Sequence, residues 1–248
     1  MRLALVALLL FALDAAAIVR RHDRPDARYR EAAAGMEAVV DMNLPGGGGT
    51  LIAPRWVLTA AHVTALFKLP HEVMVGGERI AVQRVVAYPG GQVGRDDIAL
   101  VELARAAKVA PVPLYEGRDE EGKDIVIAGR GFGGDGEKGA VERERLLRAG
   151  TNRIDRALKN WLVFRFDAPP AGTELESVSG PGDSGGPAFI VIDGRRLLAS
   201  VSSAQDDRAT GREGVYGVDE YYVRVSSYRE WIENTMKAKG PASPPAPN

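Results

Sequence analysis

The sequence contains no cysteine among its 248 residues. This absence excludes a thiol nucleophile, a cysteine-bound metal and any disulfide, so packing must stabilise the fold. Histidine is scarce as well, and the three residues present, His22, His62 and His71, make a multi-histidine metal site unexpected. From these absences we expect neither a metal nor any other cofactor.

The chain also lacks a strong net charge and a long hydrophobic run. Lys and Arg number 32 against 33 Asp and Glu, which gives a formal net charge of −1. The charge balance therefore does not favour nucleic acid as a partner. The apolar stretch at residues 3–13 is too short to span a bilayer. A hydrophobic fraction of 45% and a charged fraction of 26% are typical of a soluble globular protein with a sizeable core.

The two ends of the sequence differ in composition from the region between them. Residues 1–17 begin with one positive charge, continue through the apolar run and end at Ala15-Ala16-Ala17, a pattern typical of a secretory signal peptide. The alternatives are a first core strand or a membrane anchor. We expect cleavage after Ala17, export to the periplasm or the exterior, and no anchor afterwards. Residues 240–248 are proline-rich and are expected to be a disordered tail.

Between these ends, short segments rich in Val and Ile alternate with turn residues. Asp193-Gly194, for example, separates two apolar segments in the manner of a tight hairpin. Regular short strands of this kind predict an all-β sandwich or barrels. Helical patterns are few. We expect a short helix within residues 60–68 and an amphipathic helix over residues 226–237, capped by Ser226 or Ser227.

One segment has the composition that a nucleophilic serine requires. Ser184 lies within Gly182-Asp183-Ser184-Gly185-Gly186-Pro187, where glycines on both sides let backbone N–H groups approach a substrate. The same letters fit the G-x-S-x-G turn of α/β-hydrolases, in which the catalytic histidine follows the serine. All three histidines of this chain precede Ser184, so that interpretation is excluded.

A serine nucleophile needs a base and a carboxylate that orients the base. His62 follows a strand-like run and two alanines, which leave space for its ring near a cleft. Asp97 stands directly before the apolar run Ile98-Ala99-Leu100-Val101, and its neighbour Asp96 is the alternative. Because adjacent strand residues point to opposite faces, we expect one of the two to enter the site and the other to meet solvent.

The segments TAAHV, DIAL and GDSGGP, in this order, resemble the three signatures of the trypsin-like (chymotrypsin-fold) serine peptidases. The resemblance runs from about Thr50 to the C-terminal helix, and the order of its residues disfavours the subtilisin pattern. It implies two six-stranded antiparallel Greek-key β-barrels with the active site between them, plus a C-terminal helix. The peptidase domain would cover residues 18–239, with the boundary between barrels near residues 111–123.

The resemblance also implies roles for individual residues in a serine endopeptidase that acts on proteins or peptides through an acyl-enzyme. Ser184 would be the nucleophile, His62 the general base and Asp97 the residue that orients the base. The backbone N–H groups of Gly182 and Ser184 would form the oxyanion hole. A catalytically silent binding protein of the same fold and an esterase with the same triad are the alternatives.

Specificity follows from the same resemblance. Val178 would lie at the base of the primary pocket with Ser179 beside it, while Ala204 and Gly214 would line the walls. Ser202 would belong to the strand that pairs with the substrate backbone. Since no acidic residue stands at the expected base, we predict a small or medium apolar side chain before the scissile bond. The physiological substrate and the oligomeric state stay open.

The family resemblance extends to activation. In that family a new Ile-Val amino terminus pairs with the carboxylate before the nucleophile. Here Ile18-Val19 follows the predicted cleavage site and Asp183 precedes Ser184, so signal-peptide removal itself would free the activating amine. Arg20-Arg21 departs from the family, which usually has two glycines there. The lack of cysteine beside a signal peptide indicates a bacterial protein.

The glycines at residues 129–134 match G-x-G-x-x-G, the pattern of a dinucleotide site. That site requires a helix directly after the glycines. The next residues contain Gly136 and Gly139 and no apolar helical stripe. We therefore interpret the segment as a strand end followed by a loop.

Overall fold

The computed structural model describes residues 18–44, 46–142 and 145–238. The predicted signal peptide, residues 1–17, and the predicted tail, residues 240–248, lie outside the described residues. The described residues are dominated by short β-strands, as the alternating pattern indicates. No helix among them is long and apolar enough to cross a membrane.

The first half of the chain contains a closed barrel. Its strand order is β2-β3-β4-β7-β6-β5, and every neighbouring pair is antiparallel. One face of this sheet carries aliphatic side chains such as Leu51, Val57 and Val101, which are opposite one another in the register and fully buried. The elements of this half are β1 (Ile18–Arg20), α1 (Asp26–Ala32), β2 (Val39–Asp41), β3 (Gly48–Ala53), β4 (Trp56–Thr59), α2 (Ala61–Thr64), β5 (Glu72–Val75), β6 (Glu78–Ala87) and β7 (Ala99–Leu103).

The second half forms a seven-stranded antiparallel sheet with the order β11-β8-β15-β16-β17-β13-β12. A four-stranded sheet, β10-β9-β1-β14, joins the N-terminal strand β1 to this half. The elements are β8 (Asp124–Gly129), β9 (Gly133–Asp135), β10 (Gly139–Glu142), β11 (Arg148–Arg153), β12 (Arg156–Ala157), β13 (Trp161–Arg165), β14 (Ser177–Val178), β15 (Pro187–Ile192), β16 (Arg195–Asp206), β17 (Asp219–Arg224), a 3-10 turn (Val225–Ser227) and α3 (Arg229–Lys237).

These observations confirm the all-β double-barrel fold with a C-terminal helix. Residues 111–123, predicted to connect the halves, lie between β7 and β8 in the sequence and form hydrogen bonds with both halves of the molecule. The backbone N–H of Val112 donates to Leu51 O at 2.9 Å in the first half, and that of Tyr115 donates to Leu198 O at 2.9 Å in the second. The hairpin at Asp193-Gly194 is also confirmed, because both residues have the positive φ angles, 49° and 74°, that a tight turn of this type requires.

Local expectations for the helices were less accurate. The helix expected within residues 60–68 is only the short α2, and α1 was not predicted. The expected serine cap of the C-terminal helix is wrong. Ser226 Oγ donates instead to Glu120 Oε1 at 2.8 Å, and Ser227 Oγ donates to the backbone oxygen of Lys159, so tertiary partners take both hydroxyls and α3 begins at Arg229.

Candidate active site

His62 and Asp97, which are 35 residues apart in sequence, are in direct contact. His62 lies in α2, immediately after β4, and Asp97 precedes β7, the strand that pairs with β4. The carboxylate of Asp97 accepts two hydrogen bonds from His62. His62 Nδ1 donates to Oδ2 at 2.7 Å, and the backbone N–H of His62 donates to Oδ1 at 2.9 Å. An ionised carboxylate can only accept, so the proton must be on Nδ1 and Nε2 is left free to take another.

Asp97 is fully buried and receives a third hydrogen bond from the other half of the molecule. Ser203 Oγ, on β16, donates to Asp97 Oδ2 at 2.6 Å. Burial by itself raises the pKa of this carboxyl, but the hydrogen bonds from His62 and Ser203 outweigh burial and hold the pKa below its ordinary value. Asp97 is therefore a fixed negative charge that orients His62 at the junction of the two halves.

Asp96 has a different set of partners. Its Oδ1 accepts hydrogen bonds from Tyr228 Oη at 2.6 Å and from Asn160 Nδ2 at 2.9 Å. The two aspartates diverge because Asp96 has a positive φ of 48° before the strand begins, and not because a strand alternates their faces. Asp96 is half-buried, and its carboxylate is bonded to the C-terminal segment and only partly exposed to solvent.

The loop that carries Ser184 is joined to the first barrel by its backbone. Gly48 N–H donates to Ser184 O at 2.7 Å, and a side chain at Gly185 would collide with Thr59 and with Ala60 N, just before His62. This close approach brings the half-buried Ser184 beside the histidine segment. No hydrogen bond joins Ser184 Oγ to His62 in the described residues, a common condition for such pairs without substrate.

The backbone N–H groups of Gly182 and Ser184 have no hydrogen-bond acceptor among the residues that the structure describes, whereas the N–H groups of Asp183, Gly185 and Gly186 are all bonded within the protein. Gly182 has a φ of 101°, which a residue with a side chain rarely adopts. These two unbonded donors, separated by Asp183, belong to the same loop as the Ser184 hydroxyl, and paired N–H donors of this kind are able to stabilise an oxyanion.

Asp183 is buried behind this loop and is surrounded by amide groups. Its carboxylate accepts hydrogen bonds from Gly131 N at 2.6 Å, from Gly180 N at 2.9 Å and from the backbone N–H of Ile18. Burial raises its pKa to about 6, although these N–H groups oppose the shift. Ile18 and Asp183, predicted as an activation pair, are thus in contact.

Strand β1 is fully inserted despite the two arginines that follow Val19. Ile18 and Val19 are 1% and 0% exposed. Arg20 Nη1 reaches the backbone oxygen of Gly134 at 2.9 Å, and Arg21 forms hydrogen bonds with Asp23. Both guanidinium groups therefore have polar partners outside the Asp183 site, and insertion of the strand does not require them to be buried without partners.

Two glycines of the stretch 129–134, Gly129 and Gly131, pack against Asp183. Gly129 ends β8 and Gly133 begins β9, so no helix follows and the nucleotide-site alternative is wrong. A Cβ at Gly131 would lie 2.5 Å from Asp183 N. Glycine is needed here because the carboxylate and its loop pack directly against the backbone.

A pocket of about 450 Å³ opens beside Ser184. Three of the predicted specificity residues, Ser179, Ser202 and Ala204, line it. Ser202 lies on β16, and its own N–H and C=O pair with Gly186 and Gly185. The pairing of this strand with a substrate backbone stays a prediction.

Val178 and Gly214 do not line this pocket. Val178 is fully buried and pairs with Val19 in the four-stranded sheet, so it lies behind the pocket base. Gly214 is buried against Val19 and Ala140, and its N–H donates to Gln205 Oε1 at 2.6 Å. The lining positions are occupied instead by Gln205 and Glu213.

Two functional candidates were missed by sequence reasoning. Ser203 was overlooked beside Ser202, and only a β-bulge between Ser202 and Ala204 decides which hydroxyl reaches Asp97. Glu220, on β17, is fully buried next to the pocket. Its signal in the sequence is a pair of acidic residues, Asp219 and Glu220, within a segment of Val and Tyr that is otherwise typical of a strand.

A two-barrel fold with a serine, a histidine and a buried aspartate at the junction of its halves defines the class of β-barrel serine hydrolases. Comparison with known families matches residues 28–232 to the family described as Trypsin. The chain belongs to the trypsin family of serine endopeptidases.

Individual relatives agree with this assignment. Serine protease 56 of Mus musculus is 32% identical over 224 residues, which cover 81% of this chain and 36% of the mouse protein. The calcium-dependent serine proteinase of Mesocricetus auratus is 30% identical, with coverage of 80% and 33%. An uncharacterized peptidase of Corynebacterium glutamicum (strain R) is 24% identical, with coverage of 74% and 62%. The chain spans about a third of the length of the two mammalian relatives.

Proposed function

We propose that this protein is a secreted serine endopeptidase in which Ser184, His62 and Asp97 form the catalytic triad. The observation that carries the proposal is the set of three hydrogen bonds on the buried Asp97, two of them from His62. They hold the imidazole with Nε2 free, next to a serine that is flanked by two unpaired N–H donors.

In this mechanism Ser184 Oγ attacks the carbonyl carbon of the scissile bond and transfers its proton to His62 Nε2. The N–H groups of Gly182 and Ser184 hold the oxyanion of the tetrahedral intermediate. His62 then gives the proton to the leaving amine, and an acyl-enzyme forms. A water molecule, deprotonated by His62, hydrolyses the acyl-enzyme by the same steps in reverse order. Asp97 stays ionised and stabilises the imidazolium each time it forms.

Activation would follow from removal of residues 1–17. The N–H of Ile18 already donates to Asp183, so cleavage after Ala17 would replace an amide donor by an ammonium at the same place. A charged partner binds a buried carboxylate more strongly than a neutral one. This change would fix the loop of Gly182 and Ser184 without a separate activating protease.

The predicted substrates are proteins or peptides, and export to the periplasm or exterior of a bacterial cell fits the cysteine-free composition. The preference for a small or medium apolar side chain in the primary pocket stays a prediction. It is supported by Ala204 in the pocket wall. A catalytically silent protein would be expected to lack a triad side chain or an N–H donor of the oxyanion hole. His62, Asp97, Ser184 and Gly182 are all present in this chain.

A fluorophosphonate probe, which reacts covalently with an activated serine, tests the proposal. We expect labelling of the protein that begins at Ile18 and none of Ser184→Ala. Cleavage of a peptide amide as well as the matching ester would separate an endopeptidase from an esterase. Absence of labelling in a folded, correctly processed protein would leave the silent binding protein as the answer.

A further inference from the structure

A second cavity, of about 720 Å³, lies where the first barrel meets the loop that follows β8. Its walls come from the segment after α1, from β2, from β5 and the turn after it, and from Arg130 and Leu147 of the second half. Among the described residues, none lines both this cavity and the pocket beside Ser184. A cavity of this size is large enough for a small molecule.

Most side chains around this second cavity are apolar. They are Ala33, Met36, Val39, Met74 and Leu147. The first three of these also belong to the buried core of the molecule, so this wall is part of the rigid body of the fold. Gly76 and Gly77, in the turn between β5 and β6, have no side chain with which to fill the space. Walls of this composition favour a ligand that carries an apolar group.

The guanidinium of Arg130 lines the cavity and has no hydrogen bond or ion pair with any residue that the structure describes. Arg130 is half-buried, and burial lowers the pKa of its guanidinium because the cation loses solvation. The charges that act on it are Asp41, which attracts it, and Arg145, which repels it. Asp41 Oδ1 already accepts a hydrogen bond from Arg145 Nη2 at 2.6 Å. Two guanidinium groups therefore share one carboxylate, and this end of the cavity keeps an excess of positive charge.

A negative charge lies elsewhere on the cavity wall. Glu37 is exposed, and its carboxylate has no hydrogen bond or ion pair within the described part of the chain. It is not among the charges that act on Arg130, so the two groups are too far apart to neutralise each other. The cavity thus offers an unpaired cation and a separate unpaired anion, with apolar side chains around them. This combination matches a small zwitterion that has an apolar side chain.

We propose that this cavity binds a free α-amino acid with an apolar side chain. The ligand carboxylate would form a bidentate pair with Arg130, as planar guanidinium groups do with carboxylates. The ammonium would face Glu37, and the side chain would contact Met36, Met74 and Leu147. A simple anion would lack a partner for Glu37, and a simple cation would lack one for Arg130. The inference concerns binding alone and does not depend on the proposed peptidase function.

Isothermal titration calorimetry on Ser184→Ala tests the proposal, with L-leucine as the probe. Three analogues each remove one feature of leucine: N-acetylleucine has no ammonium, leucinamide has no carboxylate and glycine has no apolar side chain. We expect saturable binding of leucine, and binding of each analogue that is weaker by about 10-fold or more. No saturable leucine binding up to about 10 mM would overturn the proposal. Tighter binding of inorganic phosphate than of leucine would also overturn it, because the site would then be a simple anion site.

Two substitutions locate the site. Arg130→Gln should weaken leucine binding about 10- to 100-fold, because hydrogen bonds to a charged group are lost. Glu37→Gln should weaken leucine binding about 10-fold and leave N-acetylleucine binding undiminished. The exposed Arg195→Gln and Glu72→Gln are matched controls that should bind leucine as the parent does. Circular dichroism verifies that Arg130→Gln is folded, and the exposed Glu37 keeps the proposal testable if it is not. Unchanged leucine affinity in either folded variant would refute the site.

The pocket beside Ser184 is the competing location for leucine. Ala204→Trp, introduced into Ser184→Ala, fills that pocket without touching the second cavity. We expect this protein to bind leucine with the affinity of the parent. Loss of leucine binding in the folded Trp variant would place the ligand beside Ser184 and contradict the proposal. None of these measurements requires turnover, so failure of the second cavity leaves the proposed peptidase function intact.

Discussion

The backbone N–H of Ile18 donates a hydrogen bond to the carboxylate of Asp183, the residue immediately before Ser184. Strand β1 pairs with β9 on one side and with β14 on the other. Ile18 and Asp183 are 165 positions apart in the sequence. This contact links the predicted signal-cleavage site to the geometry of the candidate active site. It also leads to the first prediction.

A chain that begins at Ile18 should be far more active than one that retains Ala17, because only the former has an ammonium for Asp183. Removing the carboxylate by Asp183→Asn should lower kcat/KM about 10²–10³-fold, since a buried ion pair that loses one partner costs about 3–5 kcal/mol. N-terminal sequencing of the active protein and steady-state kinetics measure both effects. Full activity with a mature start at any other residue would disprove this activation route.

Replacing Asp97 by Asn should lower kcat about 10⁴-fold with little change in the fold. The Asn amide presents an N–H to His62 and favours the tautomer with the proton on Nε2, which cannot accept a proton from Ser184. The neighbouring Asp96→Asn provides a matched control. Its partners are Tyr228 and Asn160, so it should alter thermal stability more than turnover. Equal losses of kcat in the two variants would contradict the assignment of Asp97.

Ser203→Ala should slow the reaction of Ser184 with a fluorophosphonate by about 10- to 100-fold. The variant loses a 2.6 Å hydrogen bond to the buried Asp97 carboxylate, and a bond to a charged group contributes about 1.5–3 kcal/mol. Ser202→Ala is the matched control, because its hydroxyl faces Ser179 at 3.5 Å and has no contact with Asp97. A slower reaction in Ser202→Ala than in Ser203→Ala would contradict this role of Ser203.

The free energy of unfolding should fall as the pH rises from about 4.5 to about 8. The unfolded state releases the Glu220 proton near the ordinary pKa of 4.5, whereas the folded protein keeps it until about pH 8. Between these two pH values the folded state binds more protons than the unfolded state. The contribution of Glu220 to the free energy of unfolding is therefore complete below pH 4.5 and is lost as the pH passes 8. Each unit of difference between the folded and unfolded pKa of Glu220 corresponds to about 1.4 kcal/mol, so the free energy of unfolding should change by several kcal/mol over this pH range.

Urea unfolding of Ser184→Ala, which cannot digest itself, measures this effect with and without Glu220→Gln. The range from pH 6.5 to 9 isolates Glu220, because Asp183 titrates at about 6. We expect a decline with pH in the parent and a much flatter profile in the Gln variant. The exposed Glu72→Gln should follow the parent. Parallel profiles for all three proteins would show that Glu220 is not protonated when buried.

Much of the architecture was predictable because short-range patterns determine it. The strand β15, the hairpin at Asp193-Gly194 and the amphipathic stripe of α3 each reflect a periodicity or a turn requirement that a few consecutive residues carry. The short strands β1, β9, β12 and β14 were not predicted. They have two or three residues and owe their conformation to partners distant in sequence.

The sequence by itself determined which chemistry is available: a serine between glycines, a histidine before it, an aspartate before a strand, and no thiol. Side-chain type and order along the chain are enough for that, because they specify donors, acceptors and nucleophiles. Only the tertiary structure decided which groups meet. A bulge places Ser203 on Asp97, and strand pairing brings Glu220 behind the pocket while Val178 turns away. Such choices depend on register and on burial, and these arise only when distant segments pack together.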